Sequence, residues 1–269
     1  MGRIDDIFTR LRADKRRGLM PFVCAGYPGP GALKPVLVEI ERAGACIAEI
    51  GFPFSDPIAD GPVIAAAMHS ALGKGWTPRI GFDEIESARA SVKMGLVGMV
   101  SVSIVWRLGI DAMIAQAQRA GLDGFIFPDL PEEEGREILD RVRGAGLSAS
   151  LLIAPTTSPA RAQRLVAACS GFVYLLARSG ITGESGEVGG ATLPDIGSRV
   201  ELLRTMTDLP IACGFGISSA GHVRAVVEHA DAAIVGSALV RRMGEATDPA
   251  AAAGEMVREL MAGIANDTA

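Results

Sequence analysis

The chain of 269 residues has few cysteines and histidines, and none of them are spaced like a metal or redox site. Its four cysteines are widely separated and form no Cys-x-x-Cys pair: Cys24, Cys46, Cys169 and Cys213. Its three histidines are scattered over predicted helices without a partner at metal spacing: His69, His222 and His229. Buried free thiols explain the cysteines better than disulfides or metal ligands do. We therefore expect no metal site and no Cys-His nucleophile.

The sequence also lacks a basic excess and a long apolar run. It has 26 Lys and Arg against 31 Asp and Glu, a net charge of −5 and a pI near 5.3. This balance argues against a nucleic-acid or anionic-membrane partner. No apolar run reaches the roughly 18 residues that a membrane span needs, and acids follow the first residues where a signal peptide would be apolar. A soluble, cytoplasmic protein is the expectation.

What the sequence does contain is a repeated alternation of short apolar runs and helical patterns. Hydrophobic residues make up 49% of the chain and charged residues 21%, which is enough for a large core and excludes global disorder. Eight apolar runs are predicted as strands: 20–25, 46–50, 97–104, 124–127, 148–153, 172–177, 211–214 and 232–235. Helices are predicted at 3–16, 31–43, 62–93 (two helices broken at 74–77), 109–120, 131–144, 158–168, 194–206, 219–229 and 249–264.

The strand runs are continuously apolar, which is typical of parallel strands buried on both faces. Eight strand–helix units in about 250 residues favour a closed barrel over an open sheet. The predicted fold class is therefore α/β, a single (β/α)₈ TIM barrel over residues 1–269. Residues 1–17 form an extra N-terminal helix that packs on the barrel through Ile4, Ile7, Phe8 and Leu11.

Residues 48–62 are the most unusual stretch, because a short strand there runs into a loop braced by three prolines. The prolines restrict the loop's backbone, and a stiff loop usually positions functional groups. Three carboxylates lie in the stretch, namely Glu49, Asp56 and Asp60. Glu49 is inside an apolar strand, an expensive place for an idle charge. In a barrel, residues at the carboxyl ends of strands form the active site, so these acids are candidate catalytic groups.

Glycine-rich loops follow the last strands and predict phosphate binding. Gly214-Phe215-Gly216 follows the seventh strand and Gly236-Ser237 the eighth, where barrels often bind phosphate at helix N-termini. A third cluster, Gly180-Ile181-Thr182-Gly183, opens a loop that is suited to movement. Arg178 is either an anion contact or a surface charge. Tyr174 is either a core residue with a bonded hydroxyl or a residue whose hydroxyl points at the site.

The run from Glu49 to Pro62, Glu-Ile-Gly-Phe-Pro-Phe-Ser-Asp-Pro-Ile-Ala-Asp-Gly-Pro, resembles the signature of the tryptophan synthase alpha chain family. Further matches occur in order along nearly the whole chain: Pro21-Phe22, Ala25-Gly26-Tyr27-Pro28, Pro128-Asp129-Leu130-Pro131, Tyr174-Leu175-Leu176-Ala177-Arg178, Gly180-Ile181-Thr182-Gly183, Gly214-Phe215-Gly216-Ile217-Ser218 and Gly236-Ser237-Ala238. The resemblance implies a lyase of tryptophan biosynthesis that cleaves indole-3-glycerol phosphate to indole and glyceraldehyde 3-phosphate.

By this resemblance, Glu49 is the acid/base that protonates the indole ring and takes the hydroxyl proton, and Asp60 accepts the indole N–H. The resemblance assigns the phosphate pocket to Gly183, Gly214, Phe215, Gly216, Gly236 and Ser237. It assigns the indole pocket to Phe22, Ile153 and Tyr174. Thr182 would bond to Asp60 when its loop closes.

The resemblance also implies a beta-chain partner in an alpha₂beta₂ tetramer, with pyridoxal phosphate in the beta chain and no cofactor in this chain. Pro53 and Asp56 would face that partner. Many relatives have Tyr-x-Asn near the end of the third strand, where this sequence has Ser101-Val102-Ser103, so the indole pocket and the nearby partner contacts are open to change. The alternatives are a stand-alone lyase, another phosphate-binding barrel enzyme, a glycosidase, or a non-catalytic activator of the beta chain.

Overall fold

A computed structural model describes residues 2–57, 60–177, 196–214 and 216–264. Eight parallel strands close into a barrel in chain order. They are β1 (Gly18–Cys24), β2 (Ile47–Gly51), β3 (Gly95–Met99), β4 (Gly124–Phe127), β5 (Ser148–Ile153), β6 (Val173–Leu176), β7 (Ile211–Gly214) and β8 (Ala232–Val235). The predicted (β/α)₈ barrel with an extra N-terminal helix is confirmed.

Twelve helices occur in the described ranges. They are α1 (Arg3–Ala13), α2 (Leu33–Arg42), α3 (Pro62–Gly73), α4 (Pro78–Arg89), α5 (Val102–Leu108), α6 (Ile110–Ala120), α7 (Glu132–Gly144), α8 (Pro159–Ala168), α9 (Ile196–Arg204), α10 (Ala220–Val227), α11 (Ser237–Glu245) and α12 (Pro249–Met261). Two predicted starts are confirmed by side-chain caps. Ser158 accepts from the Arg161 N–H and Asp248 from the N–H groups of Ala250 and Ala251.

Helix α1 closes the amino-terminal end of the barrel. Its buried face carries Ile4, Ile7 and Phe8, which join one apolar cluster with strand residues from inside the barrel. The rings of Phe8 and Phe172 lie with their centroids 6.1 Å apart. Since the amino-terminal end is plugged by apolar side chains, the carboxyl ends of the strands are the open end of the barrel.

The third unit differs from the prediction, because the apolar run 97–104 is not one long strand. Strand β3 ends at Met99, and α5 begins at Val102. Ser101 is the N-cap of α5, and its side chain accepts a hydrogen bond from the Ser103 N–H. This hydroxyl stops the strand and starts a helix in a stretch whose composition favours a strand. Helix α11 is also absent from the predicted helices.

The cysteine prediction is confirmed in its main part. All four thiols are free, and Cys24, Cys169 and Cys213 are buried, while Cys46 is only half-buried at the start of β2. His69 and His222 lie on α3 and α10 as predicted, whereas His229 follows the end of α10. Over the described ranges, no helix is both long and apolar enough to cross a membrane, and no cluster of three or more His, Cys, Asp or Glu has the geometry of a metal site.

Candidate active site

Glu49 is a buried acid inside the barrel, near its open end. It lies on β2, in register with Phe22 of β1 and Val97 of β3. Its exposed fraction is 0%, and neither carboxylate oxygen has a hydrogen-bond partner among the described residues. Burial raises the pKa of Glu49 well above 4.5. Burial therefore favours the protonated form of this side chain, which can donate its proton inside the barrel.

Asp60 lies at the far end of the loop that follows β2, two residues before the start of α3 at Pro62. Its N–H donates to the carbonyl of Pro57 at 3.0 Å. Burial, and then the charge of Asp129, raise the pKa of Asp60 to about 6. Asp60 is therefore mostly ionised at neutral pH, whereas burial favours the protonated form of Glu49. Two carboxyl groups with separated pKa values provide one proton donor and one acceptor.

Tyr174 is close to both acids. It lies buried on β6, in register with Leu152 of β5 and Ala212 of β7. Burial, and then the charges of Glu49, Cys213 and Asp60, raise its pKa well above 10.0. A methyl group placed on Gly214, at the end of β7, would lie 2.8 Å from the Tyr174 hydroxyl oxygen. The hydroxyl thus faces the carboxyl end of the barrel, which favours its predicted place at the site.

The ring of Phe22 lies over the end of β2. A Cβ atom on Gly51 would be 2.4 Å from Cζ of Phe22, closer than carbon atoms can approach. A Cβ atom on Gly236, at the end of β8, would be 3.6 Å from Cβ of Phe22. Phe22 is 5% exposed, so it forms an apolar wall between the acid strand and the predicted phosphate loop. Gly51 is the residue that leaves room for this ring.

Ile153 is not in register with Tyr174, because it pairs with the next residue of β6. Leu152 pairs with Tyr174, and Ile153 pairs with Leu175. Ile153 is buried in the cluster between strands and helices, whereas Leu152 packs with the cluster inside the barrel. Strand alternation, counted back from Tyr174, would have pointed to Leu152 as a residue of the inner face. A contact of Ile153 with the indole ring stays a prediction.

The predicted phosphate loops lie side by side at the open end. Gly214 ends β7 in register with Ile234 of β8. Gly216 follows with a φ of +73°, a backbone conformation that favours glycine. Gly236 immediately precedes α11, whose first residue is Ser237. Adjacent loops that lead into helices suit an anion. Four residues of the predicted site lie outside the described ranges: Arg178, Thr182, Gly183 and Phe215.

Asp129 has a contact that the sequence-based assignment did not include. It follows β4, and its carboxylate accepts the Ser101 hydroxyl at 2.6 Å and the Val102 N–H at 2.8 Å. Its charge also contributes to the raised pKa of Asp60. The Pro-Asp-Leu-Pro motif at a strand end was the available signal, but nothing in the sequence pairs it with Ser101.

The loop predicted to face a partner is exposed only in part. Pro53 is buried within this chain, whereas Ser55 and Asp56 are exposed. The Ser55 hydroxyl donates to the Asp56 carboxylate at 2.7 Å. On α5, after the neighbouring strand, Trp106 is 57% exposed, the largest exposed fraction of the large hydrophobic residues described. The same end of the barrel thus presents a carboxylate and an indole ring to solvent.

Comparisons with known proteins agree with this geometry. A family model described as tryptophan synthase alpha chain matches residues 8–268. The tryptophan synthase alpha chain of Burkholderia mallei (strain NCTC 10229) is 37% identical over 268 residues, covering 98% of this chain and 97% of that relative. The alpha chain of Methylococcus capsulatus is also 37% identical over 268 residues, with 97% of each chain covered.

Two solved structures share the fold over nearly the full length. One is the tryptophan synthase alpha subunit from Legionella pneumophila, with a TM-score of 0.89, 30% identity and 98% of both chains covered. The other is an aminoacrylate-bound tryptophan synthase from M. tuberculosis, with a TM-score of 0.87, 29% identity, and 98% of this chain and 100% of that chain covered.

Proposed function

Because the chain belongs to the tryptophan synthase alpha chain family, whose lyase reaction cleaves indole-3-glycerol phosphate, we propose that Glu49 and Asp60 are its two catalytic residues. The observation that carries this assignment is the difference between the two acids. Glu49 is fully buried without a hydrogen-bond partner among the described residues, and Asp60 has a pKa of about 6. Burial thus favours the acid form of Glu49, whereas Asp60 is mostly ionised at neutral pH and can act as a base.

The reaction breaks the bond between C3 of the indole ring and the glycerol carbon that bears a hydroxyl group. Glu49 donates a proton to C3, and the ring becomes positively charged. Asp60 accepts the indole N–H and stabilises that charge. The hydroxyl then loses its proton to the Glu49 carboxylate while its carbon becomes the aldehyde of glyceraldehyde 3-phosphate. The electron pair of the broken bond returns to the ring, which releases indole and leaves both carboxyl groups as they began.

The rest of the pocket holds the two ends of the substrate. Phe22 and Tyr174 lie beside the acids and form the indole-binding wall, to which Ile153 is assigned by resemblance. The phosphate is held by backbone N–H groups of the loops that contain Gly214, Gly216, Gly236 and Ser237, together with Gly183 and Phe215. By resemblance, Thr182 would bond to Asp60 when its loop closes over the substrate, which would exclude water from the cationic intermediate.

The proposed partner is a tryptophan synthase beta chain, in an alpha₂beta₂ tetramer that carries pyridoxal phosphate in the beta chain. The lyase step described above uses only side chains of this chain. The loop with Pro53 and Asp56 follows β2, and α5 with Trp106 follows the adjacent β3, so the two lie next to each other at the open end of the barrel. We assign the docking surface to Asp56 and Trp106, with buried Pro53 fixing the loop. The proposed compartment is the cytoplasm, which suits four free thiols.

The test of the catalytic assignment compares Glu49→Gln and Asp60→Asn with wild type in the release of indole from indole-3-glycerol phosphate. Both variants keep the size of the side chain, and each is expected to lose at least about 10²-fold in kcat. Asp83→Asn, which changes an exposed carboxylate on the outer face of α4, is the control and keeps full activity. Full activity of Glu49→Gln or Asp60→Asn would refute the assignment.

A second measurement tests the partner. Indole release is followed with and without a beta chain, for wild type, Asp56→Asn and Trp106→Ala. The beta chain is expected to accelerate wild type, and both variants are expected to lose this acceleration while they keep the basal rate. Equal wild-type rates with and without the beta chain would instead identify a stand-alone lyase.

A further inference from the structure

The loop after β2 is anchored near both ends and exposed in the middle. At its start, Phe52 is 1% exposed, and its ring packs against two other aromatic rings of the core. Near its end, the Asp60 N–H donates to the carbonyl of Pro57 at 3.0 Å. Between these anchors Ser55 and Asp56 are exposed to solvent. Because they do not pack in the core, their positions depend on polar contacts.

His69 of helix α3 supplies such a contact. The helix is fixed on the barrel because Ile64 and Met68 are buried with Phe22 in one apolar cluster. His69 is exposed on the same helix, and its Nε2 atom lies 3.1 Å from the carbonyl oxygen of Ser55. A carbonyl oxygen can only accept, so Nε2 carries the hydrogen and donates it. The contact therefore ties the exposed part of the loop to a helix that is packed on the barrel.

This contact also restrains Asp56. Its carboxylate accepts the hydroxyl of Ser55 at 2.7 Å, so a fixed Ser55 limits the positions that the carboxylate can take. A loop that is ordered before binding loses less conformational entropy when a partner binds, which increases affinity. In the proposed docking surface, Trp106 is held by a helix, whereas Asp56 lies on a loop. Order in this loop therefore matters for the binding of a partner.

We propose that His69 is a positioning residue for the partner interface: by donating to the Ser55 carbonyl, it holds the exposed part of the loop on α3 and orders Asp56 for the beta chain. The inference rests on the proposed docking of a beta chain at Asp56. It gives a role to a histidine that belongs to no metal site among the described residues.

The test uses two variants that differ mainly in the hydrogen-bond donor, His69→Gln and His69→Met. Glutamine places an N–H group about as far from the main chain as Nε2 of histidine, whereas methionine has a similar length and no donor. The two residues have similar helix propensities, so a difference between the variants does not come from the stability of α3. His69 is exposed, so both variants are expected to fold, which circular dichroism checks.

The first measurement needs no partner. The ¹⁵N relaxation order parameter of the Asp56 N–H is measured in the free chain for wild type and both variants. Wild type and His69→Gln are expected to be near the value of about 0.85 that is typical of rigid backbone, and His69→Met is expected to fall toward about 0.6. Equal order parameters in the two variants would refute the proposal.

The second measurement is the affinity of each protein for the beta chain of the same organism, by isothermal titration calorimetry. His69→Met is expected to raise Kd about two- to tenfold, since one hydrogen bond no longer orders the loop. His69→Gln is expected to stay near wild type. A weaker affinity of His69→Met with an unchanged order parameter would mean that His69 contacts the beta chain directly, which overturns the positioning role.

The outcomes distinguish this inference from the proposed function. If His69→Met loosens the loop but binds the beta chain as tightly as His69→Gln, the inference is wrong and the proposed docking stands. If wild type does not bind the beta chain, the proposed partner is wrong and this inference fails with it. The catalytic assignment is tested separately by the release of indole from Glu49→Gln and Asp60→Asn.

Discussion

Because Glu49 is buried, Glu49→Gln is expected to be more stable than wild type although it loses activity. The carboxyl group has no hydrogen-bond partner in the described structure, and burial raises its pKa well above 4.5. Glu49→Gln replaces a neutral buried acid by a neutral amide of the same size. Unlike Glu49, this glutamine cannot ionise when the chain unfolds. The difference in the free energy of unfolding between the two proteins therefore isolates the ionisation of one side chain.

The sign of the effect follows from the protons bound in each state. Above about pH 4.5 the unfolded chain has lost the Glu49 proton, while the folded chain keeps it. The folded state then binds more protons, so the wild-type free energy of unfolding falls as the pH rises. The slope is about 1.4 kcal/mol per pH unit in the interval between the two pKa values. Because total stabilities are about 5–15 kcal/mol, this is a large effect.

The assay is urea unfolding of wild type and Glu49→Gln at pH 5.5, 6.5 and 7.5, followed by circular dichroism. The expected result is a stability advantage of Glu49→Gln that grows as the pH rises, by at most about 1.4 kcal/mol per pH unit. Asp83→Asn, at an exposed position, serves as the control and shows no such trend. An advantage of constant size across the three pH values would refute the reasoning, since it would mean that Glu49 titrates alike in both states.

Three further predictions concern other parts of the molecule. The kcat of wild type is expected to fall as the pH drops through about 6, because Asp60 must be ionised to accept the indole N–H, and a profile flat from pH 5 to 8 would contradict this. Gly51→Ala places a methyl group 2.4 Å from Cζ of Phe22, so this variant is expected to lose about 1–3 kcal/mol of stability and to have a higher KM. Phe22→Leu is expected to restore the stability in the double variant. Urea unfolding measures the stability, and steady-state kinetics measure KM. Asp231 is buried and accepts hydrogen bonds from Arg12, Arg204 and the Ile211 N–H. Asp231→Ala is therefore expected to lower the free energy of unfolding by about 2 kcal/mol. An unchanged midpoint of urea unfolding would show that these contacts contribute nothing to stability.

The residues that could be predicted from the sequence are those whose environment is set locally. Continuous apolar runs gave the bounds of β4, β5, β7 and β8 without error, because a strand buried on both faces must be apolar throughout. Glu49 was recognisable for the same reason, as a charge where only apolar residues are expected. The two helices that start with Ser-Pro and Asp-Pro were readable from their capping residues.

The features that could not be predicted depend on contacts between distant parts of the chain. Val102, Ile104 and Val105 favour a strand by composition, yet they lie in α5, and Asp129, in the loop after β4, accepts the first N–H of that helix. The raised pKa of Asp60 likewise involves Asp129, which is distant in the sequence. Local pattern cannot show either contact, because each exists only after the barrel has closed.

The different pKa values of the two acids follow from their positions, since Glu49 lies on a strand and Asp60 follows a loop. Glu49 is held by backbone hydrogen bonds on both sides of β2, so it cannot move toward water to ionise, and its pKa stays high. Asp60 follows a proline-braced loop at the rim, where burial and then the charge of Asp129 raise its pKa to about 6. A proton donor and an acceptor thus arise from one strand–loop segment, without a difference in chemistry between the two side chains. The loop between them also carries Asp56, so under the proposed docking a beta chain would act on the segment that ends in Asp60 and would leave the rigidly held Glu49 in place.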